Sequence, residues 1–167
     1  MEVTNDDESY AIGALPLASG FAAMGFHEVK NQEEVVLMTD KELVTLAKEA
    51  MENAYAPYSG FKVGAALLTK DGRVFKGCNI ENASYGATNC AERTAVFKAV
   101  SEGYREFEAI AIVASSGERI PPCGICRQVL AEFMPEGKVI LDSDETGMVT
   151  YLVRELLPCG FGAGDIK

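Results

Sequence analysis

Cys90-Ala91-Glu92 and, further along the chain, Pro122-Cys123-Gly124-Ile125-Cys126 are the stretches whose reading decides the fold. Together they offer three thiolates and one carboxylate. Three thiolates can hold a tetrahedral Zn²⁺ and leave its fourth position open, the arrangement of a catalytic zinc rather than a structural one. The carboxylate stands two residues from the first thiolate, placed to move protons on and off a water at that open position. Cys123 and Cys126 by themselves would also fit a redox motif or half of a structural zinc site. A closed site needs a fourth protein ligand. His27 is the sole histidine and lies in an atypical N-terminal region. Cys78 ends an apolar strand and Cys159 lies near the C-terminus, and both read as small, buried or half-buried hydrophobes.

Working outward, Cys90 precedes an apolar helical stripe, Ala91, Ala95, Val96, Ala99 and Val100, that stops at Gly103 as a C′ residue. Cys123 opens a second helix running to Phe133, with Pro122 just before it. Helix N-termini carry partial positive charge and free N–H groups, which lower the pKa of a cysteine placed there. Three thiolates leave the zinc site with a net charge of −1, which weakens the metal as a Lewis acid. Arg93, three residues after Cys90, is the cation expected to offset that charge. Between the two motifs, Phe107–Ala114 reads as a central strand. Upstream, Val63–Thr69 and Arg73–Cys78 flank Lys70-Asp71-Gly72, a hairpin signature. Thr39-Asp40-Lys41-Glu42 has the form of a capping box and predicts a helix to about Tyr55. Downstream, Lys138–Leu141 and Met148–Val153 read as strands and Gly160–Gly164 as loop. This order predicts a mixed sheet covered by helices, an α/β or α/β/α layered domain.

Composition narrows the partners. The 167 residues suit one domain, 48% hydrophobic and 24% charged. The net charge of −10 disfavours a polyanionic partner such as DNA or RNA. Seven acids and one base fall within residues 1–38, however, so the body of the chain carries only −4. Residues 1–38 read as an acidic N-terminal extension, and 39–167 as the catalytic domain. Ala11–Phe26 is apolar but too short to span a bilayer, and the acidic residues before it are wrong for a signal peptide. Five cysteines, an odd number with three in a metal-like pattern, fit a reducing cytoplasm and no membrane.

Three blocks of this sequence resemble the small zinc-dependent cytidine deaminases. They are Ala56-Pro57-Tyr58-Ser59-Gly60-Phe61-Lys62-Val63-Gly64-Ala65-Ala66-Leu67; then Gly77-Cys78-Asn79-Ile80-Glu81-Asn82-Ala83-Ser84-Tyr85 with Cys90-Ala91-Glu92-Arg93-Thr94-Ala95; then Pro122-Cys123-Gly124-Ile125-Cys126-Arg127-Gln128. The resemblance spans about residues 39–165. It implies a three-layer α/β/α domain with a mixed five-stranded sheet, a homotetramer with shared active sites, and one zinc per chain. It implies hydrolysis of cytidine and 2′-deoxycytidine to the uridines with release of ammonia. By position, Cys90, Cys123 and Cys126 would hold zinc, and Glu92 would be the catalytic acid and base. Asn79 and Glu81 would bind the ribose hydroxyls, and Phe61 would pack near the base. Phe161 would reach a neighbouring subunit's pocket, and Tyr85 would lie at a subunit interface. Asn79 and Glu81 are two apart, so on an extended segment they share a face.

Three other readings compete. A blasticidin-S-type deaminase shares the Cys-x-Glu and Pro-Cys-x-x-Cys elements, although Asn79-Ile80-Glu81-Asn82 favours a ribonucleoside. A polynucleotide cytosine deaminase typically presents His before the Glu. A non-enzymatic structural-zinc module would need a closed site of four ligands.

Overall fold

The computed structural model describes residues 38–166. The expected extension, residues 1–38, and with it His27, falls outside the described residues except for Met38.

Chain order gives helix α1 (Asp40–Glu52), strands β1 (Val63–Thr69) and β2 (Val74–Cys78), helix α2 (Ala91–Ser101), strand β3 (Phe107–Ala114), helix α3 (Gly124–Phe133), strands β4 (Lys138–Leu141) and β5 (Val149–Leu152), and a short helix α4 (Val153–Leu156). The α1 capping box forms as the sequence predicts. The Thr39 hydroxyl accepts the Glu42 N–H at 3.3 Å, and Glu42 Oε2 accepts the Thr39 N–H at 2.8 Å. Met38, just before the cap, is partly buried and packs against the cluster that contains Leu43. The Asp71-Gly72 hairpin turn also forms, with Gly72 at φ 88°. Gly103, at φ 98°, ends α2 in the left-handed conformation that glycine tolerates.

The strands make one mixed sheet in the order β2-β1-β3-β4-β5. Only the β3–β4 pair is parallel. Strand β1 alternates between two buried faces: Ala66 and Leu68 meet Leu43, Val44 and Ala47 of α1, while Ala65 and Leu67 meet Ala91, Ala95, Val96 and Ala99 of α2 with Leu130 of α3. The result is the three-layer α/β/α arrangement. Burial on both faces explains why β1 and β3 read as continuous apolar runs rather than as alternation.

The ends of α1 and β5 and the tail differ from the sequence reading, for reasons of packing and hydrogen bonding. Helix α1 stops at Glu52 because Tyr55 is recruited elsewhere: its N–H donates to the Asn79 carbonyl at 3.0 Å and its carbonyl accepts the Glu81 N–H at 2.8 Å. Strand β5 stops at Leu152 because Val153, buried against the α2 and α3 face, turns into α4. The tail loop contains a 3₁₀ turn at Ala163–Asp165, where Asp165 accepts the Gly162 N–H at 2.9 Å.

Two glycines set how closely the layers approach. A Cβ at Gly64 would lie 2.0 Å from the Ala47 carbonyl oxygen of α1. One at Gly77 would lie 2.4 Å from the Ala91 carbonyl oxygen of α2. Helix α2 thus lies directly on β2, with its first turn beside Gly77.

Candidate active site

Cys90 and Cys123 are the N-cap residues of α2 and α3, and Cys126 lies in the first turn of α3. Neither N-cap sulfur caps its own helix, so both are free for another partner. The two helices bring the three sulfurs within 4.8 Å of one another, with Cys90 and Cys123 at 3.9 Å. Zn–S bonds of about 2.3 Å place tetrahedral sulfurs about 3.8 Å apart, so the group fits a zinc ion. The donors are also of the soft type that favours zinc. Cys78 and Cys159 lie outside this group. The Cys78 thiol is half-buried and donates to the Asn53 carbonyl at 3.3 Å. Cys159, expected as a buried or half-buried hydrophobe, is exposed. It follows Pro158 in the turn after α4 with φ 58°, a position that faces solvent.

The thiols share charge unevenly. The Cys90 thiol is pulled down to about 5, first by a hydrogen bond from Cys126 and then by Arg93 and Cys123. That anion, with burial, pushes the Cys126 thiol up. Binding a metal displaces the protons that remain. The Arg93 guanidinium donates to Cys90 Sγ at 3.6 Å and to the Thr88 carbonyl at 3.2 Å. It sits against the sulfurs, where its spacing predicted.

Glu92 is 5% exposed. Burial, reinforced by the Cys90 charge, raises its pKa above the ordinary carboxylate value. It lines a cavity of about 220 Å³ with Phe61, Asn79, Cys90 and Cys123. Four of the sequence candidates therefore meet at Cys90. Thr88, Asn89, Ile120 and Pro121 line the same cavity and were not singled out by the sequence. Only their proximity to the two motifs could have marked them.

The segment Asn79–Glu81 is extended, with Ile80 bridged to Tyr55 on one side and Asn89 on the other. Asn79 and Glu81 do share a face, and that face is turned to the loop at residues 58–63. Asn79 Oδ1 accepts the Val63 N–H and its Nδ2 donates to the Phe61 carbonyl, both at 2.8 Å. Glu81 Oε2 accepts the Tyr58 and Ser59 N–H groups at 2.9 and 3.2 Å, and Oε1 accepts the Ser59 hydroxyl at 2.5 Å. Both side chains thus clamp the loop that carries Phe61. The Ser59 hydroxyl leads the contacts that hold the Glu81 carboxyl below its ordinary value. Glu81 lines a second hollow, of about 360 Å³, with Tyr58, Ser59, Asn82, Tyr85 and Thr88. Thr88 borders both.

Tyr85 and Phe161, like Glu81, do not line the first cavity. Tyr85 is 76% exposed and meets Tyr58 edge-on, with ring centroids 6.1 Å apart. The Phe161 ring is 61% exposed, while its carbonyl accepts Gln128 Nε2 of α3 at 2.7 Å. Arg127, beside Gln128, donates to the Pro122 and Leu156 carbonyls at 2.7 and 3.0 Å. Helix α3 therefore ties the tail to the cysteine loop. Among the described residues, no helix is long and apolar enough to cross a membrane.

Known proteins resemble this chain in sequence and fold. A cytidine deaminase of Halalkalibacterium halodurans is 56% identical over 126 residues, 75% of this chain and 96% of that protein. A crystal structure of cytidine deaminase from Burkholderia pseudomallei is 54% identical, with a TM-score of 0.72, covering 74% of this chain and 100% of that one. A blasticidin-S deaminase of Bacillus cereus is 32% identical over 127 residues, 71% of this chain and 89% of that protein. Residues 37–142 match the model of the cytidine and deoxycytidylate deaminase zinc-binding region. That range holds the three sulfurs, Glu92 and the clamped loop, and so by sequence and fold this chain belongs to the cytidine and deoxycytidylate deaminase family.

Proposed function

We propose that this chain catalyses the zinc-dependent hydrolytic deamination of cytidine and 2′-deoxycytidine to uridine and 2′-deoxyuridine, releasing ammonia. The observation that carries the reading is the buried Glu92 carboxyl in the same cavity as Cys90 and Cys123. Cys90, Cys123 and Cys126 hold the zinc. Zinc bound there supplies Lewis acidity that makes water a nucleophile near neutral pH.

Glu92 moves the protons. It takes one from the attacking water and delivers it to N3 of the pyrimidine as C4 becomes tetrahedral. It then takes the proton of the hydroxyl newly added at C4 and passes it to the amino group, so that the C4–N bond breaks, ammonia leaves and C4 becomes the carbonyl of uridine. Burial raises the Glu92 pKa, so this carboxyl takes up a proton more readily than an ordinary carboxylate, as a group that accepts and returns protons must. Asn79 keeps one N–H and one lone pair free of the loop, enough to bind a sugar hydroxyl. Glu81 accepts another, and Phe61 packs against the base. A substrate lacking the sugar leaves these groups unpaired, which rejects free cytosine.

The exposed Tyr55, Tyr58, Tyr85 and Phe161 support a homotetramer in which Tyr85 lies at an interface and Phe161 completes a neighbour's cavity. Residues 39–167 form the catalytic domain, and thiolate ligands suit a cytoplasmic location. The likeness to blasticidin-S deaminase keeps that substrate as the second reading.

The test is one preparation assayed for zinc and for turnover of cytidine and blasticidin S. The expected result is one zinc per chain, uridine and ammonia from cytidine, and much slower turnover of blasticidin S. Glu92→Gln should keep its zinc and lose on the order of 10²–10⁴-fold in kcat. Zinc-loaded Glu92→Gln with near-normal turnover removes Glu92 from the mechanism.

A further inference from the structure

Ser59 has no part in the proton transfers. It is exposed, in the turn where the Gly60 N–H donates to the Ala56 carbonyl. Its hydroxyl nevertheless joins two groups assigned to the substrate. Oγ donates to Glu81 Oε1 at 2.5 Å and accepts the Phe61 N–H at 3.0 Å. The backbone N–H groups of Tyr58 and Ser59 fill the other oxygen of Glu81. A carboxylate offers about four lone-pair sites. Residues 58 and 59 occupy three of them, and the one left open is on Oε1, beside the Ser59 hydroxyl.

We propose that Ser59 is a positioning residue for sugar recognition: its hydroxyl locks Glu81 Oε1 and the Phe61 backbone together, so that Glu81 presents one acceptor to one ribose hydroxyl while Phe61 stays against the base. The proposal rests on the cytidine reading given above. Two features make the lock specific to binding. Ser59 lines the second hollow, with Glu81, and is absent from the lining of the cavity that holds Cys90, Cys123 and Glu92. A contact that holds ground state and transition state alike changes KM and leaves kcat. Loss of the hydroxyl frees Oε1 to take a water in place of the sugar, and frees the Phe61 backbone at the same time. Asn79 still holds the Phe61 carbonyl and the Val63 N–H, so the loop survives the substitution and the defect stays local.

The experiment compares zinc-loaded full-length protein with its Ser59→Ala, Ser59→Thr, Glu81→Ala and Ser59→Ala/Glu81→Ala variants. A hydrogen bond to a charged group is strong enough that Ser59→Ala should raise KM for cytidine about tenfold or more. Its kcat should stay within about threefold, with zinc content unchanged. Ser59→Thr, which keeps the hydroxyl, should restore most of the lost affinity. In the Glu81→Ala background, adding Ser59→Ala should move KM by clearly less than it does alone, because only the contact with the Phe61 N–H remains to be lost. Carbon NMR of the Glu81 carboxyl gives a readout that needs no turnover: its titration midpoint should rise in Ser59→Ala. An unchanged KM, an equal KM effect with and without the Glu81 carboxylate, or an unmoved midpoint overturns the proposal. Wild-type protein that released no ammonia from cytidine would overturn the sugar role through the function reading instead. The NMR titration would then still decide whether Ser59 locks Glu81.

Discussion

A methyl group added at Gly77 tests whether the sheet sets the site. The new Cβ would lie 2.4 Å from the Ala91 carbonyl oxygen and 2.5 Å from the Ala95 nitrogen. Both are backbone atoms of α2, so no side-chain rotation relieves the clash. Ordinary contact begins near 3.4 Å, and the first turn of α2 must retreat by about 1 Å. Overpacking of this kind costs about 1–3 kcal/mol, which lowers Tm by about 4–12 °C for a domain of this size. The larger effect falls on function. Ala91 stands between Cys90 and Glu92, and a 1 Å displacement of reacting groups costs on the order of 10²-fold in rate. Gly64→Ala is the control. Its Cβ would lie 2.0 Å from the Ala47 carbonyl oxygen and 2.6 Å from the Met51 nitrogen, on the face of the sheet covered by α1. Helix α1 carries none of the candidate site residues. Gly64→Ala should therefore lower Tm at least as much, yet its folded fraction at low temperature should keep kcat/KM within about threefold. The assay is thermal melting, zinc content and cytidine turnover on all three proteins. A Gly77→Ala protein that melts early but keeps its zinc and its kcat/KM refutes the claim that β2 positions the first turn of α2.

Removing zinc with a chelator should abolish deamination, and added Zn²⁺ should restore it. Because metal binds the folded state, the holo protein should also melt higher; at a free metal concentration of 100 times Kd the stabilisation is about 2.7 kcal/mol. Equal melting of metal-free and metal-loaded protein would contradict this. Stability should also fall on the acid side. Glu42, through the Thr39 backbone, and Glu81, through the Ser59 hydroxyl, are both held below the ordinary carboxyl value of 4.5. A depressed carboxylate stabilises the fold fully above the unfolded value and loses that contribution as pH falls through the folded one. Unfolding titrated from pH 6 downward should thus show a loss below about 4.5 that shrinks in Glu42→Gln and in Glu81→Gln; identical slopes in wild type and variants would rule these carboxylates out as its source.

The parts of the fold that are legible in the sequence are those set by local chemistry. Thr39 and Glu42 announce the start of α1 because a capping box satisfies its own donors. Gly72 and Gly103 mark a turn and a helix end because each adopts positive φ. The cysteine motifs were legible because metal chemistry restricts both residue type and spacing. What was not legible depends on tertiary partners. The end of α1 is decided by Tyr55 pairing with the segment at Asn79–Glu81, far along the chain. The entry of Val153 into a helix is decided by the α2 and α3 face it fills. Alternation placed Asn79 and Glu81 on one face correctly, but nothing local said that the face meets residues 58–63 of the same chain. Ser59 lies in a block that carries the family resemblance, but a serine beside glycine reads locally as an ordinary turn and nothing in the sequence ties its hydroxyl to Glu81.

Charge explains why the site is assembled from two helix starts. A zinc held by three thiolates carries −1, and the buried Glu92 beside it adds a second negative charge when ionised. Burying two negative charges without compensation is costly. Arg93 supplies one positive charge, donating to the Cys90 sulfur at 3.6 Å. The N-termini of α2 and α3 each supply about +0.5, and both converge on the sulfurs because Cys90 and Cys123 are their N-caps. These contributions together are about as large as the negative charge they face. A cluster far more positive would hold Glu92 permanently ionised, and one far more negative would hold it permanently protonated. Either would end the shuttle role proposed for it. The two helix ends and Arg93 therefore do more than stabilise thiolates: in the proposed mechanism they also offset the charge that a buried carboxyl shares with an anionic metal site.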